Sequence, residues 1–498
     1  PTFEPILSNY VCIHGHFYQP PRENPFTGVV AEQPTAAPYH DWNERITAEC
    51  YAANARAEIL DDSGAVVRTV NNYERISSDF GPTLLSWLEE NAADIYEAIV
   101  GADAASSHRF DGHGSAMAQA YNHTILPLTN QRDRVTQVRW GIADFEHRFG
   151  RRPEGMWLPE TAVDSETLDI LAREGISFTV LSPYQAAAVE GENGSWHEIE
   201  GGGVDTRIPY SVDLPEGRRI SVFFYDGAIS HEIAFNGILE DGKALAGRLI
   251  EAASGGGDGP TLAHVATDGE SYGHHHKHGE MALAVALDLI DADPAVRLTN
   301  YAEFLARHPA TRSASIVEDS SWSCAHGVER WRSDCGCSTG RHPDWNQRWR
   351  GPLRDSLDWL RDQLVGPFEA VGSDLFPDPW EARDAYVEVV LGGAPDGFLD
   401  RHARPGLSEE EQRTAIGLLE IQHRSMLMYT SCGWFFDDIS GLEAVFVLRH
   451  AGRVAQLARD VLRLDLETEF LARLEAARSN LDGMTGRDVY QREVTPFL

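Results

Sequence analysis

The sequence predicts an α/β barrel of about seven βα units, followed by an α-helical C-terminal domain. Three observations carry this. Up to about residue 310, short β-rich apolar runs alternate with longer helical patterns, as repeated βα units around a parallel sheet do. Polar segments opening at His14, Glu160, Asp226 and Asp268 each begin where a proposed strand ends, the edge on which such barrels carry chemistry. After Pro352, Leu353, Leu357, Leu360 and Leu364 recur at helical spacing.

Taken in order, the predicted strands are 10–14, 65–70, 155–158, 177–181, 220–225, 262–267 and 296–299. Between them, helices are expected at 83–100, 132–149, 165–174, 243–253 and 278–289. Glycine-rich loops at 201–203 and 255–257 punctuate the series. Three regions follow: a catalytic barrel over 1–310, a Cys- and Trp-rich connecting segment over 311–350 expected to cover the active site, and a helical domain over 351–498. In the last, Ile416, Leu419 and Ile421, then Leu462, Leu466 and Phe470, continue the helical pattern.

Composition narrows the partners. Lys and Arg total 42 against 77 Asp and Glu, a net charge of −35, which argues against nucleic acid and anionic membranes. A neutral substrate meets no such repulsion. No apolar run reaches the roughly 18 residues of a membrane span, and no secretory leader is visible in the sequence, which opens with Pro1 rather than Met, as it would if a leader had been removed. Six cysteines in 498 residues suit reduced thiols and a cytoplasmic location.

Chemistry concentrates in a few stretches. Gly155-Met156-Trp157-Leu158-Pro159-Glu160 delivers one carboxylate and one large aromatic ring to the end of a strand. A second carboxylate, Asp268, lies in Thr267-Asp268-Gly269-Glu270-Ser271-Tyr272-Gly273-His274. Two such groups about 5–5.5 Å apart cleave a glycosidic bond with retention, one attacking and the other protonating the leaving oxygen. The same residues also read as a helix cap at Glu160 and an ordinary turn at Asp268. His14 and His16, one residue apart and followed by Gln19, can point into one pocket and bond sugar hydroxyls or ligate a metal, with a buried structural histidine as the other reading. His123, Trp157, Asp226, Glu270 and His274 complete the expected subsites around the barrel mouth, and Trp322, Trp331 and Trp434 offer stacking faces. The histidine-rich run 274–278 is read as a sugar-binding or solvated loop, with a metal as the alternative. Cys324, His326, Cys335 and Cys337 form a Cys3His set acceptable to zinc, although reduced cysteines packed in a loop fit the spacing too.

Together these motifs resemble glycoside hydrolase family 57. His14-Gly15-His16 with Gln19-Pro20, His123 with Pro127-Leu128, Met156 to Glu160, and Asp268 to His274 are similar to four of its motif regions. The resemblance implies an incomplete (β/α)7 barrel, retaining action on α-glucans, Glu160 as nucleophile and Asp268 as acid/base, with no cofactor required. The helical remainder resembles the C-terminal region of one subgroup. Two departures stand out: Gln119 near the usual place of an acidic residue, and Tyr225 where many members have arginine before the aspartate matched by Asp226. Hydrolysis, glucanotransfer and branching all stay open. So do a metal-dependent mannosidase or deacetylase using His14, His16, Asp268 and the histidines that follow it, and a non-catalytic carbohydrate-binding protein.

Overall fold

The computed structural model describes residues 9–191, 193–254, 259–481 and 483–498. The expected loop at 255–257 lies outside them. The chain forms two compact units. One comprises Pro1–Gln19, Glu32–Ala120 and Phe145–Glu318; the other comprises Pro20–Ala31, Tyr121–Asp144 and Asp319–Leu498.

Seven strands organise the first unit: β1 (Asn9–Phe17), β2 (Ser77–Phe80), β3 (Ala116–Gln119), β4 (Met156–Trp157), β5 (Phe178–Leu181), β6 (Arg219–Phe224) and β7 (Thr261–Asp268). β1 sits between β7 and β2, both parallel to it, with His16 opposite Asp268 on one side and opposite Asp79 on the other. Pairing continues in parallel through β3 and β4, crosses to β5 by a single Gly155–Phe178 bridge, and ends at β6. Among the described residues no ladder joins β6 to β7. One backbone bond, from Asp226 N–H to the His264 carbonyl at 2.8 Å, spans the gap, and the edge of β6 pairs instead with the antiparallel strand Tyr210–Asp213. The result is an incomplete (β/α)7 barrel.

The local sequence explains most of this. β7 is buried along all but its last residue, as a strand covered on both faces should be. Helices Gly242–Ser254 and Gly279–Ala292 turn Leu245, Leu249, Leu283, Leu287 and Ile290 into one core with Val11, Ile13 and Val265. Two expectations need correction. The run at 65–70 is strand Val66–Val70, but it forms an exposed hairpin with Ala57–Leu60 outside the barrel. Its β-branched residues supply strand propensity without an apolar neighbour to cover them. The helix expected over 83–100 breaks at Ala92, a non-helical residue with φ −148° and ψ 56°, into Pro82–Asn91 and Ala93–Arg109.

In the second unit, helix Arg350–Leu375 buries Leu353, Leu357, Leu360 and Leu364 as their spacing requires. A core of Trp140, Phe368, Phe376, Phe398, Leu418 and Leu419 gathers helices of the same unit. The pattern from Leu462 to Phe470 is interrupted: helix Leu442–Leu462 stops at Arg463, which is left-handed at φ 60°, and Glu467–Leu474 starts afresh. No helix among the described residues is long and apolar enough to cross a membrane.

Candidate active site

Side chains two apart on a strand share a face, so β1 aims His14 and His16 to the same side. Asp79, from the neighbouring β2, meets both. Its Oδ1 lies 3.0 Å from His14 Nε2 and its Oδ2 2.8 Å from His16 Nδ1, while His14 Nδ1 pairs with Ser77 Oγ at 3.0 Å. A carboxylate only accepts, so each ring presents an N–H to Asp79. Trp157, at the end of β4, stacks on both imidazoles with centroids 4.8 and 5.1 Å away. His14, Asp79 and Trp157 are completely buried. This corrects the expectation that His14 and Trp157 touch sugar: they build the wall against which His16 is held.

The metal-dependent reading loses His14 as a donor. Both nitrogens of His14 and Nδ1 of His16 are engaged by Ser77 and Asp79.

Beside His16, β7 ends in two acids. Asp268 is the one exposed residue of the strand, at its end, yet enough protein surrounds its carboxyl to desolvate it. Burial therefore raises its carboxyl above the usual range, His16 pulls it back and Asp79 adds to the rise. Glu270 is buried; the Tyr51 hydroxyl donates to its Oε1 at 2.6 Å and the Tyr18 N–H at 3.3 Å. Burial, followed by the nearby Asp268, pushes it up to about 7. Gln19 bonds the same Tyr51 hydroxyl. Burial alone would lower His16, but Asp79, Asp268 and Glu270 together raise it to about 9. His14 goes the other way, lowered by burial. One imidazole held in its charged form thus faces two carboxyl groups whose ionisation is opposed by burial. Tyr225, buried at the end of β6, is pushed up to about 12 by burial with Asp268 contributing, which puts that strand end beside the same acid.

Removing the imidazolium should free these acids to hold their protons. In His16→Gln the alkaline limb of the kcat/KM profile is expected to move to higher pH, because His16 lowers both Asp268 and Glu270. A pH–rate series on parent and variant checks the direction.

The loop after β7 is clamped by a π-helical turn, Thr47–Tyr51. Cys50 Sγ donates to the Gly269 carbonyl at 3.4 Å, Asn54 Nδ2 to the Tyr272 carbonyl at 2.6 Å, and His274 Nδ1 pairs with Glu49. His276 Nε2 bonds the Ala234 carbonyl at 2.9 Å instead, so the histidine run is split between different partners. Gly273 is needed where it stands: its φ is +137°, and a Cβ there would lie 2.3 Å from the Glu49 carbonyl oxygen. Gly273→Ala is expected to cost about 2 kcal/mol or more, read as a lower denaturant midpoint.

Glu160 follows Pro159 on a left-handed backbone, φ 58°, and Thr161 is left-handed as well at 50°. Such conformations in non-glycine residues cost about 1–3 kcal/mol and gather at working sites. Gln185 Nε2 holds the Thr161 carbonyl at 2.8 Å. The helix-cap alternative fails at Glu160, because the next helix is capped by Asp164, which accepts from Thr167 N–H at 2.7 Å. Asp268 makes no side-chain cap either. Asp226 does: its Oδ1 accepts from Ile229 N–H at 2.9 Å, leaving Oδ2 unengaged among the described residues.

The other expected residues belong to the second unit. His123 is buried there, with Nδ1 2.6 Å from Ser431 Oγ. Trp434 is fully buried and donates to the Arg350 carbonyl at 3.3 Å, so it is core and not the stacking face expected of it. Trp331 is buried too, and Trp322 half-buried. Cys324, His326, Cys335 and Cys337 come together. Sequence reasoning missed Asp79 and Tyr51, which orient His16 and Glu270.

Residues 107–316 match the family model described as Glycosyl hydrolase family 57, and residues 345–498 match one described as Domain of unknown function (DUF3536). Over 106 residues the chain is 27% identical to Alpha-amylase 1 of Dictyoglomus thermophilum, covering 21% of this chain but only 15% of that protein's length. An exo-type maltose-forming amylase from Pyrococcus sp. ST04 superimposes with a TM-score of 0.67 at 16% identity, over 93% of this chain and 82% of its own. A GH57-type branching enzyme from Pyrococcus horikoshii gives 0.57 at 15%, over 99% and 97%. At these identities the likeness is one of fold.

Proposed function

Because the chain belongs to glycoside hydrolase family 57, we propose that it breaks and remakes α-glycosidic bonds in a glucan by the retaining route, with Glu160 as nucleophile and Asp268 as acid/base. One observation carries the reading: two carboxylates stand at C-terminal ends of barrel strands, uncommitted to capping, one on a left-handed backbone and one raised by burial. The route needs this asymmetry, since the attacking group must be ionised while the other holds a proton.

Glu160 attacks the anomeric carbon and forms an ester as the glycosidic bond breaks; Asp268 gives its proton to the departing oxygen. Asp268, now ionised, takes a proton from the incoming hydroxyl, which attacks the same carbon and releases Glu160. His16, protonated and bonded to Asp79, stabilises Asp268 while it is charged. Water as acceptor gives hydrolysis, and a sugar hydroxyl gives transfer. The structural neighbours include an amylase and a branching enzyme, so the substrate class has support from both and the acceptor from neither alone. The six free cysteines fit a reducing compartment, in keeping with a cytoplasmic location.

A second assignment of the acid has its own support: Asp226 stands beyond β6 with Oδ2 unengaged among the described residues. Incubation with a linear malto-oligosaccharide tests the reading as a whole. Shorter products alone mean hydrolysis, longer or branched ones mean transfer, and an unchanged profile on linear and branched α-glucans would overturn it.

A further inference from the structure

In the second unit, three thiols and an imidazole come together in a stretch with almost no regular structure. Between Ile316 and Arg350 the one helix or strand among the described residues is a single 3-10 turn of helix, Glu329–Trp331. Irregular stretches of this length are uncommon in compact units unless something ties them. Within it, Cys324 Sγ lies 3.9 Å from Cys335 Sγ and 3.8 Å from Cys337 Sγ, and Cys337 Sγ lies 3.6 Å from His326 Nδ1. All four donor atoms fall within 4.8 Å of one another.

We propose that Cys324, His326, Cys335 and Cys337 bind one zinc ion and that this ion fixes the 321–349 stretch of the second unit.

The distances suit a tetrahedron. Thiolates about 2.3 Å from zinc stand about 3.8 Å apart, and a thiolate and an imidazole nitrogen stand about 3.6 Å apart. They do not suit a disulfide, whose sulfurs lie about 2.05 Å apart. Converging on a third sulfur and a ring nitrogen is also more than a disulfide needs.

Charge points the same way. Arg330 and Arg350 are buried beside the cluster. Arg330 donates to the Ser323 carbonyl at 3.0 Å and lies 3.7 Å over the Phe435 ring, while Arg350 donates to the Cys337 carbonyl at 2.8 Å. Two buried guanidiniums need negative charge nearby. Three thiolates and a neutral imidazole around a dication carry a net charge of about −1, and the arginines bond the carbonyls of the very segments that bear the ligands. Those bonds orient the ligand loops as outer-shell partners do. Four protein donors leave no open position, so the site is structural and takes no part in the barrel's reaction.

Metal analysis of the full chain, purified without chelator, is expected to find about one zinc per chain. Exchange for cobalt(II) should give the intense visible bands of a tetrahedral thiolate complex. Cys335→Ser and Cys337→Ser should each drop zinc to background, and Cys432→Ser should keep it. If the cluster variants fail to fold, the cobalt spectrum of the parent decides. A reduced parent chain that takes up no stoichiometric zinc or cobalt, or a Cys337→Ser chain that keeps its zinc, would overturn the proposal.

Discussion

Glu160→Gln is expected to lower kcat/KM on a malto-oligosaccharide by about four orders of magnitude or more, because on the proposed route it removes the carboxylate oxygen that would form the covalent intermediate. Stability should hardly change. Glu160 is half-buried, the neighbouring helix is capped by Asp164, and glutamine keeps the shape. The left-handed backbone at Glu160 allows a sharper form of the experiment. Glu160→Gly relieves the strained φ while vacating the nucleophile's space, so the variant should fold at least as well and turn over almost nothing. Azide in the vacated space should restore turnover with a glycosyl azide of inverted configuration. Rescue with retained configuration would mean that another side chain does the attacking. A residual rate within about tenfold of the parent, worth only about 1.4 kcal/mol of barrier, would leave Glu160 without that role.

For the acid, the informative quantity is dependence on the leaving group. Asp268→Asn is expected to slow cleavage of a glucan by about 10²- to 10⁴-fold, the usual worth of a positioned general acid. On an activated aryl glycoside, whose leaving group departs without help, the loss in the first step should nearly vanish. Asp226→Asn should show the same modest loss on both substrates if its carboxylate only caps helix Gly227–Phe235. The reverse pattern, with leaving-group dependence in Asp226→Asn and none in Asp268→Asn, would move the acid role to Asp226. Glu270 is a useful control in the same series, being raised to about 7 and bonded to Tyr51. Glu270→Gln should shift the pH profile through its effect on His16 without creating leaving-group dependence.

How much of this was readable beforehand depends on where the sequence signal comes from. Strands at 10–14, 177–181, 220–225 and 262–267 declared themselves because a strand buried on both faces must be a continuous apolar run. β2 did not: Ser77-Ser78-Asp79-Phe80 is polar, yet wholly buried. Its polarity is repaid by hydrogen bonds from His14 and His16, contacts 63 and 65 residues away that no local pattern encodes. The residue missed with it, Asp79, is the one that makes the histidine pair cooperate. The exposed hairpin strand Val66–Val70 misled for the opposite reason, having propensity without burial.

Among the site residues, position on the chain was legible and orientation was not. That Glu160 and Asp268 follow strands could be read directly. That Trp157 turns its faces to two imidazoles, or that Trp434 is core, depends on packing partners far along the chain. The Cys3His set was visible as composition, but only the sulfur separations distinguish a ligand cluster from thiols that happen to share a loop.

The central claim is that Glu160 carries the sugar. A fluorinated α-glycosyl fluoride, which forms the ester quickly and hydrolyses it slowly, tests this without any mutation: the protein is trapped, digested, and the labelled peptide sequenced by mass spectrometry. The mass of one glycosyl group on Glu160, with retained configuration in ordinary turnover, is the expected result. A label on another carboxylate, or turnover with inverted products and no label at all, would contradict it.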